Sequence, residues 1–312
     1  ALPEARRALV AETLGVPPVV FEFDGASDTA DVWDPIIEAL EQVRAEAGTE
    51  LAPLLGEAQF AVVSGAAPVA SELAGRDWPT MTMRALVDPA FADRIRIVDG
   101  VAPEPRGTVD LPDGAGVGID WSEPLQTMLS VESAALMRWS VGEVRIGVNW
   151  VPVQLVGIFE PVDETDQYWT HVPSVLQPSI FDDGNSTPVV TAIGAVHPTE
   201  IIAFTSGSTT VFMPFDTEGV TFAGAAAMGR DLQRFTAAPL SITGEGLAAG
   251  SRLTLEFGTD ALEVVDLAAA RAAARPGWSG GRARAPSASG WPAARERRDS
   301  STRARTSRAT AS

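Results

Sequence analysis

Apolar and polar positions along the chain follow two periods, and they predict helices and strands in mixed order. Leu9, Val10 and Leu14 share a helical face, with Pro3 and Glu4 in the first turn and Gly15 as a stop, so residues 3–14 read as a short helix. Val19, Phe21 and Phe23 then alternate with Val20, Glu22 and Asp24, the period of a half-buried strand. Asp34 suits a helix cap and Pro35 a first helical position. Ile36, Ile37, Leu40, Val43 and Ala47 line one face up to Gly48. With a strand at Phe60–Val63, these segments form a β-α-β unit.

Further on, after a turn at Trp78-Pro79, Ile95 and Ile97 alternate with Arg94 and Arg96, a strand with one wet face. Gly- and Pro-rich residues 101–127 mark a change of subdomain. A helix is expected from a Ser130 cap through Trp139 to Gly142, then strands at Val144–Val148 and Val153–Phe159. The second has apolar groups on both faces, as burial requires. Residues 160–190 read as a long polar loop. Strands are expected at Val189–Val196, Glu200–Phe204 and Thr209–Pro214, a helix at Thr217–Thr236, a strand through Leu253, Leu255 and Phe257, and a last helix capped by Thr259.

Composition changes the picture at the C-terminus. Ten of the 23 Arg fall between Arg271 and Ser312 against two acids, leaving 13 Arg and 39 acids in the first 270 residues. That acidic body repels nucleic acid and anionic surfaces, so no nucleic-acid partner is expected. Residues 273–312 hold almost no aliphatic side chain, and disorder is the expectation for them. Their Arg/Ala/Ser/Gly/Pro text also resembles an out-of-frame reading of GC-rich DNA, with the shift near residues 272–277. A nucleic-acid arm is the other reading of this tail.

The chain has no Cys and no Lys, which removes thiolate chemistry, disulfides, the P-loop Lys and Schiff-base catalysis. No apolar run reaches the 18 residues of a membrane span and no signal core opens the chain, so the expectation is a soluble chain. Its start without Met reads as that of a processed or excised fragment.

The chemistry-bearing residues form no recognisable site. Asp182-Asp183-Gly184-Asn185-Ser186 lacks the spacing and terminal Glu of a Ca²⁺ loop and reads as a solvated turn. Asp163, Glu164 and Asp166 could serve acid–base work only in a desolvated pocket. His171 and His197 stand 26 positions apart with no metal spacing. Ser206–Thr210 lacks a cation for phosphate and reads as a hairpin turn. Gly114-Ala-Gly116-Val-Gly118 has Ile119 where a dinucleotide fingerprint needs Gly, and Asn185-Ser186-Thr187 is a short glycosylation pattern common by chance. Catalytic, cofactor-binding and metal residues are therefore all assigned as none.

One stretch is more specific. Val156-Gly-Ile-Phe159 followed by Pro161-Val-Asp163-Glu-Thr-Asp166-Gln-Tyr168-Trp169 resembles the extracytoplasmic regions of FtsX-like, macrolide-exporter-type ABC transporter permeases. Colinear with it are Asp93–Gly100, Leu129–Ala134 with Trp139–Glu143, Met213–Asp216 and Leu255–Asp260, so the resemblance spans about residues 85–272. The chain departs from that pattern in having no membrane-spanning segment at either end.

The resemblance implies an α+β fold with a mixed-sheet βαβ-type subdomain split in sequence around a β-rich insert. Its halves are 1–104 and 197–272, its insert 105–196, with a tail at 273–312. It also implies a non-catalytic extracytoplasmic domain at the cell membrane, acting in cargo or partner recognition and coupling mechanically to a separate ATPase subunit. The implied partners are that ATPase, the permease membrane helices and an extracellular protein or lipid cargo. Two alternatives stay open: a secreted carboxylate-based hydrolase, and a free-standing binding protein using Trp78, Tyr168 and Trp169.

Overall fold

The computed structural model describes residues 8–14, 17, 30–70, 79–110, 117–147, 151–172, 174–204, 206–216, 224–237, 239–243, 247 and 250–259. Its strands are β1 (Ala8–Leu14), β2 (Gln59–Ser64), β3 (Ala67–Pro68), β4 (Thr80–Val87), β5 (Ile95–Gly100), β6 (Thr108–Asp110), β7 (Val117–Ile119), β8 (Leu125–Ser130), β9 (Val144–Ile146), β10 (Pro152–Pro161), β11 (Ser179–Phe181), β12 (Val189–Ala195), β13 (Gly207–Pro214), β14 (Leu240–Ile242), β15 (Leu253–Leu255) and β16 (Phe257–Gly258). Helices are α1 (Ala30–Ala45), α2 (Val131–Met137), α3 (Tyr168–His171) and α4 (Ala225–Thr236).

Twelve strands form one mixed sheet in the order β16-β1-β13-β2-β4-β12-β8-β10-β5, with β3, β9 and β11 attached to β4, β10 and β12. Pairs β4–β12 and β8–β10 are parallel, and β1, β13 and β2 are successively antiparallel. The fold class is therefore α+β with a mixed sheet. β1 and β2 run parallel to each other with β13 between them, so a strand from late in the sequence completes the unit built by β1, α1 and β2.

Strand alternation sends side chains to two cores. Leu9, Ala11, Phe60, Val62, Val87, Val211 and Met213 meet Trp33, Ile36 and Leu40 of α1 and Met228 and Leu232 of α4 on one face. Each such fully buried side chain contributes roughly 1.5–3 kcal/mol of transfer free energy. On the other face Ala61, Val63, Leu86, Ile193, Ala195 and Phe212 pack on Phe91, Tyr168 and Val172. A third cluster joins Met81, Met83, Leu129, Val153 and Leu155 to Met137 of α2 and to Trp139.

Several expectations change here. Residues 8–14 are a strand rather than part of a helix. Their apolar run is paired on both sides, by β13 and β16, and tertiary pairing overrides the helix-forming residues. Helix α1 begins at Ala30, so Asp34 lies inside it and caps nothing, and Pro35 is tolerated early in the helix. Glu200–Phe204 is not a strand: Pro198–Ala203 forms a 3₁₀ turn, closed by His197 Nδ1 accepting from the Thr199 N–H. Ser206–Thr210 is no hairpin turn, because Gly207 already opens β13. The polar stretch 160–190 contains α3 and β11. The strand expected at Val19–Asp24, Trp78, Gly114, the helix after Thr259 and the tail lie outside the described residues.

Helix α2 keeps its predicted cap but ends sooner, at Met137, with Arg138 left-handed at φ 50°. Ser130 Oγ accepts from the Ser133 N–H at 3.1 Å and donates to the Leu176 carbonyl at 2.6 Å. Ser130→Ala should lower stability by about 1–2 kcal/mol, read as a shift in the urea midpoint. An unchanged midpoint would show that the cap is dispensable.

Candidate functional site

The distinctive loop folds against the sheet as a structural lock. β10 pairs antiparallel with β5, and Gly157 faces Gly100 across that pair. Gly100 sits at φ +76°, and a Cβ on Gly157 would lie 2.3 Å from the Val101 carbonyl oxygen. Both glycines are therefore required by close backbone approach. The ladder register shifts between Leu155 and Gly157 on the β8 side and between Ile158 and Phe159 on the β5 side. The extra residue in β10 on the β8 side, Val156, sends Leu155 to one face and Phe159 to the other.

Beyond β10, Asp163, Asp166, Tyr168 and Trp169 are held by specific contacts. Asp163 accepts from the Thr165 hydroxyl and N–H, bonds that hold its carboxyl below the ordinary range. Asp166 Oδ1 accepts from the Tyr168 N–H and Oδ2 from Arg94 Nη1 at 3.0 Å. Trp169 Nε1 donates to the Asp163 carbonyl. Tyr168 is fully buried, with the Arg94 guanidinium 4.5 Å from its ring centroid. Its hydroxyl interacts with Asp88, which caps a turn by accepting from the Ala90 N–H at 2.8 Å. Neither that hydroxyl nor Asp88 Oδ2 reaches an aligned hydrogen bond. Burial raises the Tyr168 phenol well above its usual value and pushes Asp88 up to about 6.

These placements redistribute the sequence candidates. Asp163 and Asp166 are engaged in turn and ion-pair contacts, and Tyr168 presents nothing to solvent. Asp183 accepts from Asn185 and Ser186 N–H groups in an exposed turn. His171 packs on Phe212 at 4.6 Å and burial lowers its pKa. Among the described residues, no group of three or more His, Asp or Glu side chains is placed to hold a metal ion.

A second arrangement comes from residues that the sequence did not single out. Arg106 and Glu200 form a buried ion pair, their side chains 1% and 2% exposed. Glu200 accepts from the Arg106 backbone N–H, Nε and Nη2, the last at 2.6 Å. The Trp121 ring covers the guanidinium at 4.6 Å. The β6–β7 hairpin holds Trp121 there: Glu123 Oε2 accepts from the Gly107 N–H, and the Asp120 N–H donates to the Gly107 carbonyl. Glu200 is delivered by the 3₁₀ turn that His197 caps.

Arg106 of this pair lines a cleft of about 450 Å³. Met83, Leu125, Val153 and Phe204 give it apolar walls, and exposed Trp121 and Ser206 stand among its lining. Leu125 packs against both core clusters on that side, so the cleft lies where they meet. Its volume falls within the roughly 300–1,000 Å³ of small-molecule sites.

Fold and cleft together define an α+β protein with one mixed sheet, a loop locked on one face and a ligand-sized cleft on the other. No family model and no curated protein matches the chain. Similar solved structures include a domain of a candidate permease protein from Porphyromonas gingivalis. It is 14% identical with a TM-score of 0.32, covering 75% of this chain and 86% of that one. Another is the periplasmic region of MacB from Actinobacillus actinomycetemcomitans, 10% identical with a TM-score of 0.30, covering 73% and 83% respectively.

Proposed function

We propose that this chain is a non-catalytic extracytoplasmic domain of an FtsX-like ABC transporter permease. In this role it recognises cargo or a partner protein and passes motion mechanically to a separate ATPase subunit. The observation that carries it is that the first and last described segments of the fold meet. β1 pairs antiparallel with β16, and Thr259 Oγ1 donates to the Ala8 carbonyl at 3.1 Å. A domain inserted between two membrane helices needs entry and exit at one place.

The permease-like segments also converge in space, which favours this reading over coincidental similarity. Arg94 of the Asp93–Gly100 segment holds Asp166 and Tyr168, β5 pairs with β10, and β8 runs parallel to β10. The proposed split of 1–104 and 197–272 around 105–196 accounts for β13 lying between β1 and β2. It also accounts for α1 and α4 sharing one core. Among the described residues no helix is long and apolar enough to cross a membrane.

The test is the gene with its flanks in all frames, followed by fractionation of the cells. Expected are apolar segments of 18 or more codons on both sides, an adjacent ATPase gene, and copurification of the chain with a membrane ATPase. The frame adjacent to residues 272–277 should continue into such a segment. Release of the full-length product as a free soluble protein, with no ATPase, would overturn the proposal.

A further inference from the structure

We infer that the cleft beside Arg106 and Trp121 is a binding site for one small uncharged molecule with an apolar body and an oxygen acceptor. The inference stands on the cleft alone, so it does not depend on a membrane location.

Size sets the ligand class first: 450 Å³ holds a drug-sized molecule rather than a folded partner or a long lipid chain. The lining sets polarity. Met83, Leu125, Val153 and Phe204 offer only apolar contact, and Arg106 is the one ionisable side chain among the described residues that line the cleft. Glu200 already neutralises that charge through Nε and Nη2. An anionic ligand would compete with Glu200 and enter a strongly acidic body, while a cation would leave its hydration shell for a lining that offers no carboxylate among the described residues. A neutral ligand meets neither penalty.

One donor is left over. Arg106 Nη1 is buried and has no hydrogen-bond partner among the described residues, and a buried N–H without an acceptor is costly. A carbonyl or ether oxygen would satisfy it. Trp121 covers the guanidinium with one ring face and is 54% exposed, so a flat apolar group can stack on its outer side.

Nile red is a suitable probe, being uncharged, flat and apolar with one carbonyl. Titrated into the intact chain, it should show saturable one-to-one binding with a blue-shifted emission. Ala67→Trp and Ala203→Trp each fill the cleft and should weaken binding at least tenfold, with folding checked by circular dichroism. Trp121→Ala should weaken it several-fold. The double variant Ile180→Ser/Phe181→Ser removes an exposed apolar pair elsewhere and should leave binding unchanged. Anilinonaphthalene sulfonate, an anion, should bind at least tenfold more weakly than Nile red. Three outcomes overturn the assignment: no saturable binding, equal binding by both folded cleft-filling variants, or equal affinity for the anion. Loss of binding in the Ile180/Phe181 variant would place the dye on that patch and also overturn it.

Discussion

Glu200→Ala is expected to destabilise the protein by about 3–5 kcal/mol, because it strands the buried Arg106 charge with its partner removed. Arg106 and Glu200 are almost wholly excluded from water, and three donors of Arg106 converge on one carboxylate. The cost is that of an uncompensated charge, not the net worth of the pair. The double substitution Arg106→Met/Glu200→Leu should therefore recover most of the loss, since an apolar pair of similar volume carries no desolvation penalty. Urea unfolding of Arg106→Met, Glu200→Leu and the double variant measures the coupling directly. Additive losses would mean that the pair is hydrated and that the cleft wall is not built as described.

Asp88→Asn should act in the opposite direction, stabilising the protein by about 2–3 kcal/mol at pH 7. Burial is the first cause of the raised Asp88 pKa, which reaches about 6 against an ordinary 3.8. A carboxyl held above its unfolded value keeps its proton in the native state after the unfolded chain has lost it. Its contribution is fully present below about pH 4 and is lost as pH rises through about 6. Asn keeps an acceptor for the Ala90 N–H and carries no charge. The stability difference between variant and wild type should thus be near zero at pH 3.5, grow between pH 4 and 6, and stay flat above 7. A difference independent of pH would show that Asp88 is not desolvated in the native state.

The loop that carried the family resemblance was legible as a pattern but not as a mechanism. Its Asp-x-x-Asp-x-Tyr-Trp residues read as a solvated acidic loop, with acid–base work and aromatic binding as the alternative readings. They do neither. Asp163 closes a turn, Asp166 fixes Arg94, and Tyr168 lies in the core. The deciding contacts come from Arg94 and Phe91, more than 70 positions away in sequence, and local spacing carries no trace of them. Arg106 and Glu200 were missed for the same reason. Each is a single ionisable residue in an acidic, Arg-bearing chain, and a separation of 94 positions gives no signal until the sheet closes.

Period-2 alternation marked β5 and β15, and in β15 the alternation is that of two faces in different surroundings, whereas β5 is exposed on both faces beyond Ile95 rather than on one. A Ser cap followed by apolar residues marked α2, and the absence of Lys and Cys limited the chemistry. Those features are local, so the sequence by itself determined them. It did not determine that residues 8–14 would be a strand, since Ala-Leu-Val-Ala-Glu-Thr-Leu suits a helix until β13 and β16 supply hydrogen bonds on both sides. It did not determine the cleft either. That site exists only where two core clusters meet on one sheet face, and the ion pair of its lining residue Arg106 with Glu200 joins segments whose proximity is a property of the closed sheet. Long-range pairing and burial are cooperative consequences of the whole fold, and so the tertiary structure alone decided which charges are buried and which surface can take a ligand.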